Sequence, residues 1–174
     1  LIEKPQIPSW LNKLGWSTRY LPHPLTHTTL INTLTQLLDN SIKINNVLIE
    51  EGWQELSQIK KNESTFSTLS SFDAHSIHFP RGLKGLIQNL KDLGIKHVGI
   101  THHVMGSPGG IHISKARKYD LPPDNYGRYF LGYDLGRTFE FYHDYYSYLR
   151  KQGITFITVT HQNTIHHYCR EGMD

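Results

Sequence analysis

Two adjacent carboxylates, Glu50-Glu51, followed by Gly52-Trp53-Gln54, are the residues of this sequence best equipped for chemistry. Carboxylates accept hydrogen bonds from sugar hydroxyls, and indole rings stack on the apolar face of a pyranose. Trp16, Glu50, Glu51 and Trp53 together therefore suit a carbohydrate. Two other polar groups stand at the ends of apolar runs: Thr101-His102-His103, which leads into Gly106-Ser107-Pro108-Gly109-Gly110, and Thr158-Val159-Thr160-His161-Gln162-Asn163. Two imidazoles and a carboxylate, drawn from Glu50, His102 or His103, and His161, are also donors that hold zinc or iron. The plain alternative is that Trp16 and Trp53 are packing residues and Glu50-Glu51 a solvated turn.

The elements that must position these groups alternate regularly. Apolar runs at Leu14–Thr18, Ile44–Ile49, His97–Thr101 and Ile154–Thr160 read as strands. Between them lie three helical patterns. The first carries Leu30, Ile31, Leu34, Leu37 and Leu38 on one face, with Asn40 near its end, where Asn tolerates the left-handed cap. The second carries Leu83, Leu86, Ile87, Leu90 and Leu93 and stops at Gly94. The third carries Phe139, Tyr142, Tyr146 and Leu149 and stops at Gly153. Strand alternating with helix predicts parallel strands joined by crossovers. Two strand-to-helix connections are long, a polar stretch from about Glu51 to Phe79 and a Gly/Pro-rich one after His103. Long loops at the C-terminal edge of parallel strands are where a (β/α) barrel builds its site. The expected fold is α/β, a (β/α) barrel of TIM type of which only about the first four β/α units are present: a half-barrel, read as a single partial domain over residues 1–174. Eight units would close a barrel, so a second half in cis or self-association is the expected way to cover the open edges.

Composition narrows the function classes. With 174 residues, 37% hydrophobic and 19% charged, the chain is an ordinary globular one. No apolar stretch is long enough to span a membrane, so no membrane is expected. The net charge of +3 is spread out and no nucleic-acid motif appears, so nucleic acid is not an expected partner. No Gly-x-Gly-x-x-Gly follows the first strand, and no cofactor is expected. Cys169 is the one cysteine, so an internal disulfide is excluded. No leader is visible, and a cytoplasmic protein is expected; without an initiator Met the chain reads as a segment of a longer one. Asn62-Glu63-Ser64 has the glycosylation pattern. The Tyr142, Tyr145, Tyr146, Tyr148 stripe reads as barrel packing, and His143, His75 and His78 as solvated. His166-His167, being adjacent, do not share a helix face.

Several motifs then resemble one family. Pro8 through Leu14-Gly15-Trp16-Ser17-Thr18 is similar to the P-x-x-x-x-x-L-G-W-C-T-W opening of the raffinose synthase and alkaline α-galactosidase (seed imbibition protein) group of glycoside hydrolase family 36. Val47-Leu48-Ile49-Glu50-Glu51-Gly52-Trp53-Gln54 resembles its L-I-D-D-G-W-Q. Phe72-Asp73-Ala74 and Phe79-Pro80-Arg81-Gly82-Leu83-Lys84 resemble F-x-A-N and F-P-x-G-L-K. Val98-Gly99-Ile100-Thr101-His102-His103, with Gly106 to Gly110, resembles V-G-V-W-H-A-L-x-G-Y-W-G-G. Gly153 to Gln162 resembles G-I-D-F-V-K-V-D-N-Q. Order and spacing hold from about residue 5 to residue 165.

The resemblance implies the first half of a catalytic barrel acting on α-galactosides with retention. One carboxylate attacks the anomeric carbon and a second serves as acid, then base. It also implies a nucleophile at position 160, a sugar-binding Lys at 158, galactose hydroxyls held at 50 and 51, and a pocket wall at 102. The acid/base carboxylate is expected in the second half, beyond Asp174.

Departures fall on those positions: Thr160 stands for the nucleophile Asp, Thr158 for the Lys, and Arg19 for the second Trp of W-C-T-W. Glu50-Glu51 replace Asp-Asp with arms longer by one bond, roughly 1.5 Å, and misplacement by about 1 Å costs on the order of a hundredfold in rate. A threonine hydroxyl stays protonated at neutral pH. The expectation is therefore a sugar cleft around Trp16, Glu50, Glu51, Trp53, His102 and Thr158 with no catalytic residue and no metal. The alternatives are a working retaining enzyme that uses Glu50 or Glu51 as nucleophile, a His/Glu metal site, and a module that pairs half-barrels.

Overall fold

The computed structural model describes residues 6–61, 64–132 and 134–165. Asn62-Glu63, His166-His167 and Cys169 lie outside these. The elements in chain order are β1 (Gly15–Ser17), α1 (His27–Asp39), β2 (Asn46–Ile49), β3 (Gln54–Lys61), β4 (Ser64–Ala74), α2 (Gly82–Asp92), β5 (His97–His103), α3 (Ile113–Ala116), α4 (Leu135–Gln152) and β6 (Phe156–Thr160). Strands β1-β2-β5-β6, in that order, form one parallel sheet, and β3 and β4 form a separate antiparallel hairpin. The sheet with its helices is half of a (β/α) barrel, as the alternation predicts.

Register decides which face each side chain meets. Val47 pairs with Val98 and Ile49 with Ile100, and all four are buried. They form one core with Leu30 and Leu34 of α1, Leu83, Leu86, Ile87 and Leu90 of α2, and Phe141, Tyr145 and Leu149 of α4. Burying each such side chain stabilises by roughly 1.5–3 kcal/mol. The opposite face carries Ser17, Leu48, Glu50, Gly99, Thr101, His103, Thr158 and Thr160, because successive strand residues alternate. Low on that face Trp10 stacks on His97 at 5.0 Å and lies 4.9 Å from Phe156. Gly99 has no freedom to be larger: a Cβ there would fall 2.2 Å from the Phe156 ring.

Helix ends follow local chemistry. Thr26 caps α1 by accepting from the Thr29 amide, and Asp134 caps α4 by accepting from the Arg137 amide. The first turn of α2 is capped from a distance: Asp73, near the end of β4, accepts from the Leu83 amide at 2.9 Å. Asn40 closes α1 with φ −81, and the left-handed residue is Ser41; the Asn40 side chain donates instead to the Gln36 carbonyl at 2.8 Å.

Two expectations are corrected. The polar stretch from Glu51 to Phe79, read as a loop, contains the β3–β4 hairpin, whose Leu69 and Phe72 are buried. The buried face of α4 is set by Phe141, Tyr145 and Leu149, while Phe139 is 70% exposed. The Tyr stripe does pack: Tyr145 is fully buried, and Tyr142, Tyr146 and Tyr148 lie against the core. Among the described residues no helix is long and apolar enough to cross a membrane.

Candidate functional site

The C-terminal ends of β1, β2 and β6 and the turns after them surround a cleft of about 390 Å³ lined by Thr18, Arg19, His23, Leu25, Glu50, Glu51, Gly52, Thr160 and His161. That volume lies in the range of small-molecule sites. Its floor is built from hydroxyls. Ser17 Oγ donates to Glu50 Oε1 and Thr101 Oγ1 to Glu50 Oε2, each at 2.9 Å. The Glu50 amide donates to Thr18 Oγ1 at 2.9 Å. Three neighbouring strands thus fix one carboxylate, with two of its roughly four lone-pair sites left for a ligand.

Glu51 is held differently. Thr160 Oγ1 donates to Glu51 Oε1 at 2.6 Å, and His161 Nδ1 lies 3.1 Å from Thr160 Oγ1 and 3.7 Å from Glu51 Oε1. An ionised carboxylate only accepts, so the Thr160 proton points at Glu51, and His161 is the donor toward Thr160. His161 adopts a left-handed backbone, φ 58 and ψ 32, which costs a non-glycine residue about 1–2 kcal/mol. That turn lays its ring on His103 at 4.5 Å. His103 Nδ1 accepts from the Met105 amide at 3.0 Å, which leaves the ring proton on Nε2. Burial first, then the neighbouring His161, lowers the His103 pKa to about 4.

The sequence-predicted residues divide into two groups. Glu50, Glu51 and position 160 converge on the cleft. Trp53 does not present a face to it: the ring is fully buried and its Nε1 donates to the Thr101 carbonyl at 2.8 Å. Trp16 pairs with Val47 and shares the helix-facing side. His102 is fully buried on that side too, with Nε2 3.1 Å from the Tyr146 hydroxyl and Nδ1 2.9 Å from the His103 carbonyl. Burial lowers its pKa. Alternation along β1 and β5 is the reason for Trp16 and His102, while Trp53 lies in the segment between β2 and β3; these placements correct the expectation that the rings line the mouth. Thr158 is exposed on the open face, paired with Thr101, but it does not line the cleft. The Gly106–Gly110 turn is seated on the hairpin. The Gly109 amide donates to the Ser67 carbonyl at 2.9 Å, and a Cβ on Gly109 would meet that oxygen at 2.5 Å.

Residue-type reasoning put Thr18, Thr101 and His103 at strand ends but did not identify Ser17, Thr18 and Thr101 as the partners that hold Glu50. The available signal for Ser17, Thr101 and His103 was parity combined with register: Leu48 and Glu50 share a face, as do Thr158 and Thr160, and Ser17 pairs with Leu48, Thr101 with Thr158 and His103 with Thr160. Among the described residues, no group of three His, Cys, Asp or Glu side chains is arranged to hold a metal ion.

Solved structures share this architecture. A glycoside hydrolase family 36 α-galactosidase from Geobacillus stearothermophilus matches with a TM-score of 0.59 at 14% identity, over 83% of this chain and 20% of that one. An α-galactosidase from Lactobacillus brevis matches with 0.59 at 12% identity over 83% and 20%. A family 31 dextranase from Flavobacterium johnsoniae, complexed with glucose, matches with 0.57 at 12% identity over 83% and 18%. At these identities the likeness is one of fold, and it extends to both hydrolase families rather than to the raffinose synthase group in particular. The chain spans about a fifth of the length of these proteins. No protein-family model and no curated protein sequence matches it.

Proposed function

We propose that this chain is the sugar-binding half of a glycosidase-type barrel and that it does not carry out covalent double displacement. One observation carries the reading: at position 160, where the resemblance puts the nucleophile, a threonine hydroxyl donates its proton to Glu51 at 2.6 Å. Formation of a glycosyl ester requires a carboxylate oxygen to attack the anomeric carbon while a second carboxyl, about 5–5.5 Å away, protonates the leaving oxygen. Thr160 supplies no such oxygen. Glu50 has both oxygens engaged by Ser17 and Thr101. The anchored carboxylates suit hydroxyl recognition: each still accepts from a sugar O–H, and the 390 Å³ cleft has room for one hexose ring. The substrate class proposed is an α-galactoside. The sheet edges at β1 and β6 support completion by further β/α units, in the same polypeptide or in a second copy.

Incubation with an aryl α-galactoside tests the reading. The expected result is no burst of phenol, no mass shift on the polypeptide, and galactose-induced shifts of amides around Glu50 and Glu51 in NMR spectra. The competing reading uses Glu51 as nucleophile and is favoured by the half-exposed Glu51 side chain. A galactosyl adduct on Glu51, with turnover lost in Glu51→Gln, would establish it instead.

A further inference from the structure

Arg19 is a cation without a partner in a cleft that holds two carboxylates. It lines the same cavity as Glu50 and Glu51, yet among the described residues no carboxylate oxygen lies within 4.0 Å of its guanidinium and no hydrogen bond engages it. The reason lies in the hydroxyl network. Glu50 is drawn toward Ser17 and Thr101, and Glu51 toward Thr160 and His161, and neither is drawn to within ion-pair distance of Arg19. The backbone that carries Arg19 is fixed, because its amide donates to Ser17 Oγ at 3.2 Å and the Leu21 amide closes the turn on the Thr18 carbonyl at 2.9 Å. The cleft is therefore bipolar, with acceptors for hydroxyls at Glu50 and Glu51 and a planar five-donor fork at Arg19.

A neutral hexose satisfies the acceptors and leaves the fork unmatched. A small free anion matches the fork but leaves the acceptors unmatched and feels both carboxylates. The ligand that matches both carries hydroxyls at one end and a negative charge at the other, so that its charge sits on Arg19 while the ring keeps it apart from Glu50 and Glu51. We propose that the cleft selects a hexose bearing an anionic substituent, held bidentately by Arg19. This rests on the sugar-cleft reading above and names its ligand class.

Titration calorimetry on the intact chain with galacturonate, galactose 6-phosphate, galactose, acetate and inorganic phosphate tests it. At least one sugar acid is expected to bind about tenfold or more tightly than galactose, as one charge-assisted fork contact would supply. Arg19→Gln is expected to bring that acid down to the level of galactose. The tighter of the two acids identifies the anion as carboxylate or phosphate. Arg19 is exposed, and the circular dichroism of the variant checks that it folds. Galactose binding as tightly as both acids, or an acid preference that survives Arg19→Gln, overturns the proposal and leaves the sugar cleft standing. Acetate or phosphate binding as tightly as the sugar acids also overturns it, since the ring would then contribute nothing. Failure of all five ligands to bind overturns both readings.

Discussion

Thr160 Oγ1 and Glu51 Oε1 lie 2.6 Å apart, a charge-assisted contact that ties the end of β6 to the turn after β2. It also determines what a substitution at position 160 would do. Thr160→Asp puts a carboxyl beside Glu51, and two carboxylates in hydrogen-bond reach do not both ionise freely; one pKa rises. The single variant is expected to lose about 1–3 kcal/mol of stability at pH 7, to regain part of it at lower pH as the pair takes up a proton, and to form no glycosyl adduct. Thr160→Asp combined with Glu51→Gln removes the repulsion and is expected to restore stability at pH 7. Urea titrations of the three proteins at pH 5 and pH 7 check this, and equal stability of the single and double variants at pH 7 would contradict it.

Glu50 depends on donors rather than on a counter-ion. Replacing it by Gln exchanges one accepting oxygen for an NH2 group, which then faces either the Ser17 or the Thr101 hydroxyl. Those hydroxyls can rotate to accept, but Thr101 is fully buried and its reoriented proton loses its partner. Glu50→Gln is expected to cost about 1–3 kcal/mol, and Thr101→Val less, about 1 kcal/mol, since it removes a donor while keeping the shape. Their double variant should cost less than the sum, because both act on one contact. A double-mutant cycle by chemical denaturation reads that coupling, and strict additivity would show that the contact contributes nothing.

The helices were legible because Leu83, Leu86, Ile87 and Leu90 recur with a 3.6-residue period and each is buried where that period puts it. The sheet order followed from strand and helix alternation. The facing of each strand did not. Val47-Leu48-Ile49 is apolar throughout, so nothing in it tells which residues meet the helices, and the same ambiguity passes to His102 and His103. The hairpin was hidden by its polarity. Ser57, Gln58, Ser67, Thr68 and Ser70 alternate with few apolar residues, and hydrogen bonds such as Thr68 Oγ1 to the Ser57 carbonyl at 2.9 Å replace apolar contrast. The β-favouring run Thr65-Phe66-Ser67-Thr68-Leu69 was the available signal.

Trp53 separates packing from binding. A stacking platform for sugar must expose its ring, whereas this one is fully buried and donates to Thr101. Trp53→Phe is expected to lower stability by about 1–3 kcal/mol, from the unpaired Thr101 carbonyl together with lost volume. Affinity for a bound sugar should change by less than about twofold. Thermal denaturation and calorimetry on the same variant check the two halves, and a large loss of affinity at unchanged Tm would return Trp53 to the binding surface.

His103 makes stability depend on pH with a definite sign. Burial and its stacked neighbour His161 lower its pKa to about 4, against an ordinary value near 6.5. The folded protein therefore holds this ring neutral where the unfolded chain protonates it. A group with a lowered pKa of this kind contributes its full stability above about pH 6.5 and loses it as the pH falls toward 4. The size of the effect is on the order of 3 kcal/mol, and buried His102, lowered for the same reason, acts in the same direction. Denaturation measured from pH 4 to pH 7 should give unfolding free energies that rise with pH and level off near neutrality. His103→Asn keeps an acceptor for the Met105 amide but does not titrate, so its curve should be flatter over that window while its stability at pH 7 falls through lost packing. An unchanged slope in His103→Asn would place the titration elsewhere, with His102→Asn the variant to distinguish the two rings.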